Sequence, residues 1–412
     1  MLNLPQHYAQ LLGLDDSWCV NDVDLSLDDE RVTIHLQTVS GHPRTCSGCG
    51  AISPLKDHAP ARQWRHLDTM QFETILVARV PRTKCPVCAV KTCSVPWASP
   101  HGRFTLMFEA FAIRVLQAAS SVDRARGLLK LSWDAVHRIL ERAVERGVER
   151  RNLDGVRRVG IDEKSFRRGQ SYVSVLSDHD GNRVIDVVEG RDEESVNGLW
   201  EAFSANQKLN IEAVAMDMWK AFENSVTANL PHADIVHDRF HIMKHLNDAV
   251  DQVRRGEHKA LKEQGDETLK GTKYLWLSNP GNLSESNLLK FEDIKDLHLK
   301  TARAWAIREQ FNFFWTYTHA GWARKFFKKW YCWASRCQLV PVRKKAKMIH
   351  QRLENILTYF KHRITNGPAE GFNSRIQSIK SSARGFRNYA NYRTRILFFC
   401  GRLDLLPKEL SH

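Results

Sequence analysis

No stretch of the 412-residue chain approaches the run of about 18 apolar residues that a membrane-spanning helix needs. The N-terminus, MLNLPQHYAQLLGLDDSW, has no basic segment followed by an uninterrupted apolar one, so no signal peptide is expected. A soluble, cytoplasmic protein is the corresponding expectation. A Walker-type phosphate loop is also missing, and with it the usual route to nucleotide hydrolysis. The chain contains neither an internal repeat nor a low-complexity tract. Acids are the scarcer charge: 47 Asp and Glu stand against 61 Lys and Arg, a formal net charge of +14. That balance favours a polyanionic partner, nucleic acid before membrane, although basic composition alone is shared by many merely soluble proteins. With 42% hydrophobic residues the length leaves room for roughly two to four domains and at least one sizeable core.

Nine cysteines is an odd number, and four of them form two close pairs, which suits metal ligation in a reducing compartment better than a disulfide framework. Cys46-Ser-Gly-Cys49 and Cys85-Pro-Val-Cys88 are C-x2-C knuckles separated by 35 residues. Four thiolates close a tetrahedral Zn²⁺ site and leave no open position, so the ion would be structural. Phe72 to Val80 reads as a strand leading into the second knuckle, and Cys93 is a possible substitute ligand with poorer spacing than Cys88. The alternative is two unrelated pairs of buried thiols. Ahead of the knuckles, residues 1 to 45 show one strand-like alternation, Arg31 to Leu36.

Phe104 to Gln117 has helical composition. SSVDRARGLLKLSWDAVHRILERAVERG then reads as two helices broken near Lys130-Leu131, with Ser132 as N-cap and Val136, Ile139, Leu140 and Ala143 on the buried face of the second. This suits a helix-turn-helix, whose second helix enters the major groove by its N-terminal residues, here Trp133, Asp134, His137 and Arg138. Lys130 stands where such turns often carry glycine, and an ordinary helical hairpin remains the alternative. Arg142 to Arg158, charged and carrying Gly147 and Gly155, reads as a linker.

Val156 to Asp162 (VRRVGID) and Ile211 to Asp217 (IEAVAMD) are short apolar runs that each end in an aspartate. Between them, Tyr172 to Leu176 and Val184 to Val188 flank the turn His179-Asp180-Gly181-Asn182, which argues a hairpin. Asp192 to Asn206 has helical periodicity, Met218 to Asn229 a short helical run, and Ala233 to His237 is another strand. Three strands, a helix, a strand, a helix and a strand is the layout of a ribonuclease-H-like mixed sheet. In such a sheet the strands ending at Asp162 and Asp217 are parallel neighbours, and sites form beyond the carboxyl ends of strands. A third acid, Glu370, lies in NGPAEGFNSRIQSIK behind the Asn-Gly-Pro signal that often precedes a helix. Three acids on two strands and a helix offer hard oxygen ligands for a pair of divalent cations about 3.5–4 Å apart, the arrangement that serves phosphoryl transfer on nucleic acid. Glu163 alternates to the other face of its strand, and Glu354, a rival third acid, lacks the Asn-Gly-Pro setting. His237, Asp238 and His241, where the last strand ends, either act as a second shell that orients ligands or contacts phosphate, or pack and cap.

From Asp238 to about Phe360 the sequence is helix-compatible, interrupted near Asn279-Pro280-Gly281 and Pro341, so an α-helical insertion separates the second and third acids. Lys300 to Arg352 holds 13 Lys or Arg against the single acid Glu309, interleaved with twelve aromatics that include Trp305, Trp315, Trp322, Trp330 and Trp333. Lys344 and Lys345 in this stretch, and Arg375, Lys380, Arg384 and Arg387 beyond Glu370, are candidate phosphate contacts. Aromatic faces there either stack on unpaired bases or form a helical core.

GIDEKS, VAMDMWKAF, HDRFHIMKHLNDAVDQVRR and NGPAEGFNSRIQSIKSSARGFRNYANYRTRIL resemble the catalytic blocks of insertion-sequence transposases of the ISL-three family, which carry an Asp, Asp, Glu triad. WRHLDTMQFETILVARVPRTKCPVC with VPWASPHGRFTLMFEAF is similar to that family's zinc-binding segment, some members of which use His in the second knuckle where this chain has Cys88. The resemblance runs from about Arg31 to Leu397. It implies a zinc ribbon in residues 1–100, a helix-turn-helix in 101–150, and a catalytic core in 151–245 and 356–402 around a helical insertion in 246–355. It further implies that Asp162, Asp217 and Glu370 bind two Mg²⁺ (or Mn²⁺) and catalyse cleavage and transfer of DNA strands at inverted ends. Double-stranded DNA would be the partner, with a dimer or higher oligomer assembled on it and the protein associated with the bacterial nucleoid. Two alternatives stay open: a structure-specific nuclease on the same sheet, and a catalytically inert DNA-binding regulator.

Overall fold

The computed structural model describes residues 3–119, 121–167, 171–364 and 367–407, without the side chains of residues 280 and 368–370. The chain divides into two compact units, one running to Arg151 and regaining the segment from Leu403, the other spanning Asn152–Arg402.

The first unit begins with α1 (Leu4–Leu11), capped by Asn3. Seven strands follow: β1 (Trp18–Ser26), β2 (Arg31–Thr38), β3 (Leu55–His58), β4 (Arg62–Arg65), β5 (Glu73–Ala78), β6 (Pro81–Cys85) and β7 (Ala89–Thr92). They form one sheet in the order β1-β2-β5-β4 and another in the order β3-β6-β7. Val32, Ile34 and Leu36 alternate inward from β2 and meet Leu76 and Ala78 of β5. Trp97 stands edge-on to both Trp18 and Trp64, at 4.7 and 5.5 Å between ring centroids. Two expectations need correction here. The first 45 residues hold β1 as well as β2. The Phe72–Val80 strand is β5 of the larger sheet, and it is β6 that runs into the second knuckle.

Three helices complete this unit, α2 (Leu106–Ala118), α3 (Val122–Leu129) and α4 (Trp133–Arg150). Ser132 caps α4 by accepting the Ala135 amide, and Val136, Ile139, Leu140 and Ala143 are buried. Lys130 closes α3 at φ +52°, taking the left-handed conformation for which glycine is the usual choice. The linker expected at 142–158 is not one. Helix α4 continues to Arg150, and a Cβ on Gly147 would lie 2.6 Å from the Cβ of Leu403, so glycine lets the returning chain lie against the helix. Buried Glu109 of α2 fixes α4 by accepting from Arg142 at 2.8 Å and Arg146 at 2.9 Å.

The second unit is built on β8 (Arg158–Ser165), β9 (Tyr172–Asp178), β10 (Arg183–Glu189), β11 (Ala213–Met216) and β12 (Asp234–His237). Their order is β10-β9-β8-β11-β12, with β8, β9 and β10 antiparallel and β8, β11 and β12 parallel, the ribonuclease-H-like mixed sheet. Asp192–Asn206 does not form one helix: Asp192 caps α5 (Glu193–Asn197), a 3-10 turn follows, and Ser204 starts α6 (Ala205–Leu209) with its own capping box. Helix α7 (Lys220–Asn229) links β11 to β12. One sheet face, including Val159, Ile161, Val214 and Met216, packs with Trp200 and Phe222.

Ala213, Ala215 and Val236 belong instead to the core of the helical insertion, and small side chains at 213 and 215 let it approach the sheet closely. The helices between β12 and the end of this stretch are α8 (Arg239–Glu263), α9 (Lys273–Leu277), α10 (Glu285–Lys295), α11 (Lys300–Phe311), α12 (Ala320–Arg336), α13 (Val340–Gln351), α14 (Leu353–Leu357) and α15 (Tyr359–His362). Pro341 sits in the first turn of α13, so it starts a helix rather than interrupting one. Trp315 and Trp330 are core residues beside Phe311, Phe314 and Phe327, Trp305 is partly buried, and Trp322 and Trp333 are exposed. The unit ends with α16 (Gly367–Ser382) and α17 (Tyr389–Cys400). Helix α17 packs on β10, where Arg393 pairs with Asp186 at 2.7 Å.

Candidate active site and zinc centre

The ligand atoms of Cys46, Cys49, Cys85 and Cys88 all lie within 4.8 Å of one another. Each knuckle turns its backbone onto a thiol: Gly48 N–H donates to Cys46 Sγ and Cys88 N–H to Cys85 Sγ, both at 3.4 Å. Amide donation from Cys88 and then Val87 brings the Cys85 thiol down to about 6, so it ionises readily, as a zinc ligand must. Hydrogen bonding to Cys49, then burial, pushes Cys88 up to about 12, the signature of several sulfurs crowded without a counter-charge. A divalent cation held by the four sulfurs would supply that charge. Gly50, at φ +76°, closes the first knuckle. Cys93 lies outside the cluster, its thiol raised first by burial.

At the other centre, Ile161 pairs with Met216 across the parallel strands β8 and β11, so Asp162 and Asp217 follow at the same level on neighbouring strands. Asp162 is buried, and its Oδ2 accepts from Asn373 Nδ2 of α16 at 2.6 Å with Lys164 Nζ 3.8 Å away. Asp217 pairs through Oδ2 with His241 Nδ1, while its buried Oδ1 has no hydrogen-bond partner among the described residues. Asp238 caps α8, and ligand atoms of Asp217, Asp238 and His241 gather within 4.8 Å. Burial disfavours the charged form of His241. The hydrogen bond to Asp217 and the charges of Asp217, Asp238 and Asp162 outweigh that and hold its pKa above the ordinary value. An oxygen-rich cluster with an orphaned carboxylate oxygen fits a hard divalent cation.

The remaining expected residues fall in several places. Glu370 belongs to α16, but its side chain lies outside the described ones. His237 cannot contact phosphate: it is fully buried, 3.5 Å from Glu223, and burial pushes it down to about 4. Glu163 pairs with Arg191, whose guanidinium lies over the rings of Tyr172 and Trp219 at 4.0 and 4.9 Å. Glu354 is engaged by Arg324. On α4, Asp134 and Arg138 are exposed. Trp133 is exposed and stacks on His137, which pairs with Glu141 at 3.2 Å. Lys344, Arg375, Arg384 and Arg387 are exposed. Two lysines are engaged within the fold instead: Lys345 Nζ lies 3.1 Å from His245, and Lys380 donates to the carbonyl of Ser165 at 2.8 Å, tying α16 to the end of β8. Asn373 was missed by the sequence reading, although it stands one helical turn after Glu370.

Comparison with known proteins accounts for all these parts in order. Residues 42–88 match the zinc-finger of transposases IS204/IS1001/IS1096/IS1165, and residues 93–144 the helix-turn-helix domain of transposase family ISL3. Residues 159–396 match the ISL3 model described as transposase. The transposase for insertion sequence element IS1557 of Mycobacterium tuberculosis is 26% identical over 437 residues, covering 98% of both chains. The transposase for insertion sequence element IS1001 of Bordetella parapertussis is 25% identical over 349 residues, covering 83% of this chain and 85% of the relative. Among the described residues no helix is long and apolar enough to cross a membrane. Since the transposase match alone spans more than half of a chain that also carries the family's DNA-binding helix-turn-helix and four-cysteine zinc ribbon, the protein belongs to the ISL3 family of transposases.

Proposed function

We propose that the chain catalyses Mg²⁺-dependent cleavage and transfer of DNA strands at the inverted ends of its insertion sequence, with Asp162, Asp217 and Glu370 as the metal-binding catalytic residues. The observation that carries this reading is the parallel pairing of β8 with β11, which sets Asp162 and Asp217 at one level, together with the Asn373–Asp162 hydrogen bond that draws α16 to the same place. Position 370 stands three residues before Asn373 in α16, and residues three apart in a helix are neighbours. Two Mg²⁺ ions bound there would activate the attacking oxygen and stabilise the leaving one.

The chain's own groups have separate tasks. Asp162 on β8 and Asp217 just past the end of β11 offer oxygen ligands, Asn373 fixes the Asp162 carboxylate, and His241 fixes that of Asp217 with Asp238 alongside. Trp133, Asp134 and Arg138, at the start of α4, read the terminal repeats. Arg375, Arg384 and Arg387 neutralise phosphates near the chemistry. In this reading residues 1–100 serve as the zinc ribbon, 101–150 as the helix-turn-helix, 151–245 and 356–402 as the catalytic core, and 246–355 as the insertion. Chemistry at two ends calls for at least a dimer on DNA. The test is strand transfer with precut ends bearing the element's inverted repeats. Joined product that needs Mg²⁺ and disappears in Asp162→Asn and Asp217→Asn supports the reading. Cutting of branched DNA without joining marks a nuclease, and binding indifferent to Mg²⁺ without any cutting marks a regulator.

A further inference from the structure

Between α12 and the junction of α13 with α14 the insertion holds a cleft of about 340 Å³, within the size range of pockets that enclose small organic groups. Its aromatic wall is a stack. Tyr331 and His350 lie nearly parallel at 4.3 Å between centroids, and Phe327, fully buried behind them, is within 13° of parallel to Tyr331. His350 is exposed and Tyr331 half-buried. Apart from Leu353 the rest of the lining is polar: Arg324, Lys328 and Gln351 supply donors, and Glu354, held by Arg324, supplies an acceptor. Helix α12 carries five basic residues and no acid, so a polyanion is drawn to the lip of the cleft.

We propose that this cleft receives an unstacked nucleobase of bound DNA, with the base against the Tyr331–His350 stack and its phosphates on the basic face of α12. A purely apolar guest would leave Arg324, Lys328, Gln351 and Glu354 without use. A phosphate alone would leave the ring stack without use. A base joined to a phosphate backbone uses both, since base–aromatic stacking tolerates any base while cations track the backbone. The inference rests on DNA binding by this family and not on the metal-dependent chemistry proposed above.

The test measures binding of the full-length protein to a 12-nucleotide single strand carrying 2-aminopurine at its centre, without added divalent cation, so that a failure of the catalytic reading leaves it intact. Quenching of the 2-aminopurine is expected, with affinity about tenfold lower in His350→Ala and in Tyr331→Leu. His350→Phe should keep the affinity, because it keeps a stacking face. An abasic strand should bind wild type and His350→Ala alike, whereas Lys328→Ala should weaken both strands. Since His350 is exposed, its replacement leaves the core intact, and an unchanged melting temperature checks this. Equal affinity of wild type and His350→Ala for the base-bearing strand overturns the proposal. So does displacement of the strand by an acidic peptide that itself binds in a His350-dependent way, which marks a protein-docking site.

Discussion

Replacing Asn373 by alanine removes one hydrogen bond that spans 211 positions of sequence, and its consequences for stability and for chemistry should differ in size. The Nδ2 of Asn373 donates at 2.6 Å to a carboxylate oxygen of buried Asp162, which also has the Lys164 ammonium 3.8 Å away. A hydrogen bond to a charged group contributes about 1.5–3 kcal/mol, and partial exposure of Asn373 places this one near the low end, about 1.5–2 kcal/mol. For a unit of this size each kcal/mol moves the melting temperature by about 2–4 °C, so the transition of the catalytic unit should fall by roughly 3–8 °C. Strand cleavage at 25 °C, where the fold persists, should fall by about tenfold or more, because the same bond holds the helix bearing position 370 against β8. Asn373→Asp sharpens the test. Two carboxylates about 4 Å apart repel by up to about 4 kcal/mol at an effective dielectric constant of 20. Without divalent cation this variant should melt lower than Asn373→Ala, and Mg²⁺ should restore more stability to it than to wild type. Calorimetry of both variants with and without Mg²⁺ reads each outcome. An Asn373→Ala protein that melts and cleaves as wild type does refutes the reasoning.

Three further outcomes follow from the geometry. His66, partly buried and hydrogen-bonded to Thr105, is pushed down to about 4 by burial first and then by Arg65. The unfolded state therefore takes up its proton first as pH falls from 6.5 towards 4, and up to about 3 kcal/mol of stability should be lost across that window. Chemical denaturation at pH 7 and pH 4.5 should show this slope, and His66→Gln should flatten it. Gly50→Ala forces alanine to φ +76° in the first zinc knuckle, at a cost of about 1 kcal/mol. Zinc should then pass faster to a competing chelator while its stoichiometry stays at one per chain, and unchanged transfer rates count against a structural knuckle. Arg138→Ala, at the exposed start of α4, should weaken binding to the terminal repeat by roughly 1–3 kcal/mol and binding to a scrambled duplex much less. Equal losses on both duplexes, by fluorescence anisotropy, reduce Arg138 to a phosphate contact.

The elements legible in the sequence are those whose local signals agree with their tertiary role. VRRVGID and IEAVAMD are apolar because both faces of β8 and β11 are covered, and the β9–β10 hairpin and the Ser132 cap declare themselves in turn and cap chemistry. The four knuckle cysteines are legible because metal geometry fixes their spacing. Elements that hid did so for physical reasons. Strand β1 is buried mainly at its start, so NDVDLS reads as loop. Strand β6 begins at Pro81 and carries Arg82 and Lys84, which disguises its place in the small sheet. Helix α4 runs on through charged residues because Glu109 neutralises Arg142 and Arg146 from another helix, and Gly147 is there for a chain segment some 250 positions away. Contacts such as Asn373–Asp162 and Arg352–Glu223 leave no local trace at all. Among the tryptophans, composition could not separate buried Trp330 from exposed Trp333, which sit on the same helix.

The central claim, that Asp162, Asp217 and Glu370 share a pair of divalent cations, is tested most directly by calorimetric titration of Mn²⁺ into the protein assembled on its own terminal-repeat DNA. About two ions per chain are expected, with at least one lost in each of Asp162→Asn, Asp217→Asn and Glu370→Gln. Binding of as many ions, as tightly, by Glu370→Gln as by wild type contradicts that claim.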